Sequence, residues 1–288
     1  MKKPGFILLV TAIVSAISLG AQAQGTATPA WLNYVGTGVG GSFSCTSGTC
    51  SLGDERWFTS FNVSAGATVV ALANNGPTIV RSAGTCNIAG TVSNSVNTAN
   101  GGGVLNEGDF GGGGGGGGGG TLAGRGGLLS VGPGGLPIVN SGAKGAANGG
   151  AGGNAQSTAT GQFHELLSVG SFWPIGGGTG GLGGGNGSGT TGGQGGNGGG
   201  AVIFVCNTIN FTGTIDVSGA AGSPAPADDT GAGGGGGGGY VVLSAVNFTA
   251  KAGTINVSGG PGGSCNAHAN CGAGGTGGNG WFYFQTIQ

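Results

Sequence analysis

The chain has 288 residues, of which 80 are glycine and only 5% are charged, and its formal net charge is −1. This composition provides no basic patch for nucleic acid or anionic lipid. Nine prolines are too few for collagen, and 37% hydrophobic residues with so little charge is unlike most disordered segments. We therefore expect a folded, glycine-rich protein that binds no nucleic acid and no cofactor.

The first 23 residues have the organisation of a secretory signal peptide. Two lysines precede the apolar run 6–14, and Ala21-Gln22-Ala23 forms a cleavage site of the A-x-A type. The apolar run is short for a membrane span, and no later stretch is long and apolar enough to be one. We expect residues 24–288 to be secreted or displayed at the cell surface, with the periplasm as the other destination.

All six cysteines follow the predicted cleavage site, and an even number in an exported chain favours disulfides. Proximity in sequence favours two small loops, which leaves one long-range pair. Six cysteines allow fifteen pairings, so other connectivities stay open. A metal site is disfavoured, because there is no C-x-x-C and the two histidines have no ligand spacing. The favoured pairs are Cys45–Cys50, Cys265–Cys271 and Cys86–Cys206.

The mature chain divides into four parts. They are an N-terminal segment with a small disulfide loop (24–56), solenoid-like strands (57–103), a glycine-rich bundle or set of excursions (104–200), and β-repeats with glycine-rich insertions (201–288). Within the second part, strands are expected on both sides of Ser64-Ala65-Gly66. The only plausible helical stretch is 163–173.

Three segments align on a Gly-Thr-apolar core, namely 78–95, 201–219 and 240–259. In each, a run of β-branched and aromatic residues, which favour strands, precedes G-T-[VI]-[SDN]. The chain closes with another predicted strand at 281–288. Copies of this kind, with long insertions at one equivalent position, indicate stacked units. We predict a mainly β protein with a parallel β-solenoid, and a β-sandwich is the alternative.

The glycine-rich stretches show a period of three. Residues 111–120 are all glycine, and 177–200 divides into triplets of which seven of eight begin with glycine. Three residues per turn is the repeat of the extended polyproline II conformation, which has no internal hydrogen bonds. Such runs become ordered only when they pack side by side. We predict a polyglycine II helix bundle, and a flexible linker is the alternative.

The runs FGGGGGGGGGG (110–120) and GAGGGGGGGYVVLSA (231–245), the stretch 67–93 and the two G-T-I-x-V-S-G motifs resemble bacterial exported glycine-rich proteins. This resemblance covers 57–288 and implies strands alternating with polyglycine excursions. The glycine blocks are also similar to the tail-fibre tip adhesins of T-even-type phages, which bind host receptors. A further similarity is to the glycine-rich domain of anaplastic lymphoma kinase receptors, which binds protein ligands. No functional residues align with either group.

Ionisable residues are few and scattered, so we predict no catalytic, cofactor-binding or metal site. His164-Glu165 is interpreted as a surface or packing pair. Asp228-Asp229 is interpreted as a solvated turn, with a weak cation site as the alternative, and the same alternative holds for Glu107 and Asp109. The G-x-G-x-x-G match at 36–41 is uninformative in a chain so rich in glycine.

The first functional hypothesis is an exported, non-enzymatic structural, adhesive or matrix-forming surface protein. It would bind a cell-surface glycan, a protein or copies of itself. Exposed aromatic residues are the candidate contacts, although each one taken singly also suits core packing. The candidates are Trp31, Tyr34, Trp57, Trp173, Trp281 and Tyr283.

Two alternatives remain. One is an ice- or surface-binding protein, since the snow flea antifreeze protein is also a glycine-rich, disulfide-linked bundle of helices with three residues per turn. A regular column of Thr, Ala or Ser on one face would favour it, and the triplets GGT, GTT and GGN supply only fragments of one. The other is a carbohydrate-active β-solenoid enzyme, for which no convincing set of carboxylates is visible.

Overall fold

The computed structural model describes residues 38–53, 55–71, 78–94, 130–131, 137–140, 156–157, 192–265 and 269–287. Within these ranges the chain forms strands and turns and no helix, which confirms a mainly β protein. Four predicted elements lie wholly or partly outside the described residues, namely the signal peptide, the glycine run 111–120, the helical stretch 163–173 and the glycine triplets of 177–191.

Fifteen strands lie within the described residues. In chain order they are β1 (Ser42–Cys45), β2 (Thr49–Leu52), β3 (Glu55–Phe58), β4 (Ser60–Val63), β5 (Thr68–Ala71), β6 (Thr78–Ile88), β7 (Thr91–Ser93), β8 (Ser130–Val131), β9 (Pro137–Asn140), β10 (Gln156–Ser157), β11 (Ala201–Phe211), β12 (Thr214–Asp216), β13 (Tyr240–Lys251), β14 (Thr254–Asn256) and β15 (Trp281–Thr286). The strands predicted from the Gly-Thr repeat and at the end of the chain are all present.

Two sheets contain most of these strands, and every pairing in them is parallel. The first sheet has the order β1-β4-β6-β11-β13-β15, with β3 also paired to β6. The second sheet has the order β2-β5-β7-β12-β14. Each second-sheet strand follows its first-sheet counterpart along the chain, so the two sheets have the same order. A small antiparallel sheet, β8-β9-β10, is separate from both.

The core contains the side chains that point inward from both parallel sheets. Burial alternates along β4 and β5, as expected for strands with one face on the core. The largest fully buried side chains include Phe61, Phe204 and Phe211. The first half of β11 is buried on both faces, which agrees with its unbroken apolar sequence AVIFVC.

The corners between the sheets explain the glycine of the Gly-Thr repeat. A Cβ at Gly90 would overlap the carbonyl oxygen atoms of Ser64 and Ala67, and a Cβ at Gly213 would overlap the Gly90 carbonyl. Successive corners therefore stack too closely for any side chain at this position. The corner predicted at 64–66 is present, with Gly66 at a φ of 81°.

Five extended segments lie beside one another outside the sheets, and we call them the glycine-rich segments, although 217–226 has only the glycines Gly219 and Gly222. Segment 231–239 runs parallel to 192–200 and 271–280, and antiparallel to 217–226 and 257–265, as its hydrogen bonds show. Every residue of the central segment is buried. These segments occupy equivalent places in the fold, because each lies between a second-sheet strand and the next first-sheet strand.

The hydrogen bonds between these segments repeat every three residues. The N–H groups of Gly193, Gly196 and Gly199 donate to the carbonyls of Gly231, Gly234 and Gly237 at 2.8–2.9 Å. The N–H groups of Gly233, Gly236 and Gly239 donate to the carbonyls of Ser223, Ala220 and Val217 at 2.7–2.9 Å. Exposure has the same period, since Ala273, Thr276 and Asn279 are exposed while Gly272, Gly275 and Gly278 are buried.

Three disulfides are present, and they join the pairs that the sequence favoured. Cys45–Cys50 links the ends of the turn between β1 and β2, and Cys265–Cys271 closes the loop between two glycine-rich segments. Cys86–Cys206 joins the neighbouring strands β6 and β11 inside the core, with a sequence separation of 120. All cysteines are therefore paired, and an oxidising environment is compatible with the fold.

Candidate binding surfaces

Two of the predicted aromatic contacts lie together at the end of the first sheet. Trp281 and Tyr283 project from the same face of β15, and their rings stack with centroids 5.6 Å apart. Trp281 also stacks on Tyr240 of β13 at 5.6 Å. Tyr240 is buried, whereas Trp281 and Tyr283 are half-buried. These rings therefore combine packing with a partly accessible aromatic surface.

Trp57 lies on β3, away from the aromatic residues of β15. It pairs in register with Arg81, whose guanidinium carbon is 5.2 Å from the centroid of the Trp57 ring. Four strand spacings, about 19 Å, separate β3 from β15 across the first sheet. The structure therefore brings together two of the six candidate aromatics. Trp31, Tyr34 and Trp173 lie outside the described residues.

The acidic pair Asp228-Asp229 is part of a loop-to-loop contact. The Asp228 carboxylate accepts the Ala269 N–H at 3.0 Å, and the Asp229 carboxylate accepts an amide N–H of Asn270 at 3.0 Å. These bonds give the pair a structural role, in line with the interpretation as a turn. His164-Glu165, Glu107 and Asp109 lie outside the described residues.

Among the described residues, no group of His, Cys, Asp or Glu side chains is arranged to hold a metal ion. The same part of the chain contains no helix with the length and apolar character of a membrane span.

A ladder of asparagines crosses the outer face of the first sheet. The side-chain amide of Asn87 donates to Asn62 at 2.7 Å, and that of Asn210 donates to Asn87 at 2.9 Å. These residues face one another in register on β4, β6 and β11. Their side-chain amides therefore bond to one another, and the ladder stabilises this face.

A column of threonines crosses the outer face of the second sheet. Register pairs Thr49 with Thr68, Thr68 with Thr91, Thr91 with Thr214, and Thr214 with Thr254, so every strand of the sheet contributes one. The residues that follow them point into the core, as Val69, Val92 and Ile215 do. Thr49 and Thr254 are exposed and the other three are half-buried. We call this array the threonine column.

The Gly-Thr repeat already aligned three of these threonines, Thr91, Thr214 and Thr254. Thr49 and Thr68 were missed because β2 and β5 lack the apolar run that precedes the repeat elsewhere. The dipeptide Gly48-Thr49 matches the Gly-Thr core of the repeat and could have indicated the position of Thr49. The sequence hypothesis placed the threonine face on the glycine triplets, whereas the regular column lies on the second sheet.

No protein-family model matches this chain, and neither curated proteins nor solved structures include one that is significantly similar to it. The resemblances drawn from the sequence therefore stay predictions.

Proposed function

We propose that this protein is an exported, non-enzymatic scaffold with a structural, adhesive or matrix-forming role at the cell surface. Its body would be a parallel β-solenoid whose coils extend into polyglycine II helices packed as one bundle. The three-residue repeat of hydrogen bonds between the glycine-rich segments carries this proposal.

The shared strand order of the two parallel sheets supports the solenoid. Each coil would supply one strand to the first sheet and the next strand to the second, as β6 and β7 do and as β11 and β12 do. A sandwich of antiparallel strands would not give two sheets of the same order with parallel neighbours throughout. Side-chain ladders such as Asn62–Asn87–Asn210 are expected when equivalent coils stack in register.

The hydrogen-bond period supports the polyglycine II bundle. A helix with three residues per turn presents every third N–H to the same neighbour, as segment 231–239 does toward 217–226 and 271–280. A Cβ at Gly233 or Gly236 would overlap a carbonyl of segment 192–200, so only glycine allows this approach. No glycine in the described parts of these segments has a positive φ, which agrees with an extended left-handed helix.

A rigid bundle suits a protein that must persist outside the cell. Its backbone N–H and C=O groups bond to one another, which leaves few extended, accessible stretches for a protease. Disulfides add to this, since they persist in oxidising compartments. The pair Trp281 and Tyr283 is the described aromatic surface that best suits a glycan or protein partner, because stacked rings bind sugar and side-chain faces at little entropic cost.

Amide hydrogen exchange on the mature protein tests the scaffold. We expect protection in 231–239 and 271–280 comparable with that in β11, because their N–H groups are bonded to other segments. Exchange at random-coil rates in both segments would overturn the bundle.

Cell fractionation tests the location. We expect the protein at the cell surface or in extracellular material, whereas a freely diffusing periplasmic monomer would contradict the surface role. In a cell-binding assay, Trp281→Ala should weaken attachment. Trp57→Ala, at a separate place on the same sheet, is the matched control and should not.

A further inference from the structure

We propose that the outer face of the second sheet is an ice-binding surface built on the threonine column. This inference goes beyond the scaffold role, and it rests on the geometry of β2, β5, β7, β12 and β14.

The threonine column is regular in two directions. Adjacent parallel strands lie about 4.8 Å apart, so five threonines in register extend over about 19 Å. A second row of outward residues lies two positions further along each strand, about 6.6 Å away. That row consists of Ser51, Val70, Ser93, Asp216 and Asn256. The face is thus a regular array of two rows of mostly small side chains.

The described residues offer the five threonine hydroxyls no hydrogen-bond partner. In the described part of the chain, none of them makes a side-chain hydrogen bond to another protein group. The opposite outer face differs, because Asn62, Asn87 and Asn210 bond to one another there. Among the described residues nothing competes with water for these hydroxyls, of which those of Thr49 and Thr254 are on exposed residues and the other three on half-buried ones.

The side chains of the column are also held in fixed positions. Threonine is β-branched, so its χ1 angle is restricted and its methyl and hydroxyl groups have defined directions. The residues between the column and the core are buried, as Val69, Val92 and Ile215 are. The sheet can therefore hold a row of water molecules at a constant spacing rather than adapt to a flexible ligand.

Ice is the ligand whose chemistry fits these features best. Its surface is flat, uncharged and periodic, and one of its lattice repeats is close to the spacing between adjacent strands. β2, β5 and β7 place no charge on the face, and the Asp216 carboxylate accepts hydrogen bonds from Asn256 and from the Ser218 N–H. A protein partner would favour a large aromatic or arginine anchor, and the column has none.

Ice recrystallisation inhibition and thermal hysteresis, measured on the purified mature protein, test this proposal. We expect the wild-type protein to slow crystal growth and to give a measurable freezing gap. Thr91→Tyr places a bulky ring at the centre of the column and should abolish both effects. Thr85→Tyr is the matched control, because Thr85 is exposed on the outer face of the first sheet, and it should retain both.

Thermal unfolding of each variant identifies any loss of fold. If Thr91→Tyr is unfolded, Thr91→Lys serves in its place. The proposal is overturned if the wild-type protein has no effect on ice, or if the control loses as much activity as the column variant. Neither result would affect the scaffold proposal, which depends on amide protection in the glycine-rich segments.

Discussion

Cys86 and Cys206 are 120 residues apart in sequence, yet their Cα atoms lie 6.1 Å apart on adjacent parallel strands. The chain between them includes β7 and the longest glycine-rich part of the sequence. The bond therefore ties the strands before this part directly to those after it.

Removal of this disulfide should destabilise the protein more than removal of a short-range one. The chain-entropy treatment gives about 5 kcal/mol for a loop of this length and about 2 kcal/mol for the Cys45–Cys50 loop. Denaturant unfolding of Cys86→Ala/Cys206→Ala and of Cys45→Ala/Cys50→Ala measures both. An equal or larger loss in the second variant would contradict the role assigned to the long-range bond.

Gly236→Ala should disrupt the glycine-rich segments. Its Cβ would overlap the Asn197 carbonyl, and overpacking of this kind costs about 1–3 kcal/mol. The lower conformational entropy of the unfolded alanine variant stabilises the folded state by only about 0.4–1 kcal/mol. We therefore expect a lower free energy of unfolding and faster amide exchange in 231–239. Ala221→Val enlarges an exposed side chain in a neighbouring segment and should change neither quantity.

The asparagine ladder should show a position-dependent cost. Asn87 both donates and accepts within the ladder, whereas Asn210 bonds only to Asn87 on one side and faces Ala250 on the other. At about 1 kcal/mol for each hydrogen bond, Asn87→Ala should cost about 2 kcal/mol and Asn210→Ala about 1 kcal/mol. Denaturant unfolding compares the two variants, and equal costs would show that the ladder does not act pairwise.

Tyr240 should make stability depend on pH under alkaline conditions. Burial raises the pKa of its phenol far above the usual value, because the charged form would lose its hydration. The folded state then holds the proton longer than the unfolded state does. The free energy of unfolding is therefore unaffected by this group below about pH 10. Above that pH it falls by up to about 1.4 kcal/mol per pH unit. Unfolding of Tyr240→Phe between pH 8 and pH 11 should lack that part of the dependence.

The strands were predictable where local sequence determines them. The apolar runs before Gly90, Gly213 and Gly253 have the β-branched and aromatic composition of strands, and each of these glycines lies at a corner that excludes a side chain. β1 and β2 were not predicted, because SFSC and TCSL are short and polar on one face. Only their pairing with β4 and β5 defines them as strands.

Long-range relationships could not be derived in the same way. The ladder Asn62–Asn87–Asn210 depends on the stacking order of coils that are separated by different lengths of chain. A spacing of four residues between asparagine and the Gly-Thr threonine, shared by Asn87 and Asn210, was the available signal. The glycine period was visible, but the partners of each segment depend on the packing of the others.

The three-residue repeat of the glycine-rich hairpins has a consequence for how the chain can change in evolution. Three residues added to each arm of the hairpin formed by 217–226 and 231–239 would extend it by one repeat and keep every donor opposite its acceptor. One or two added residues would shift all donors beyond the insertion. Related chains should therefore differ by multiples of three residues in each arm of the hairpin.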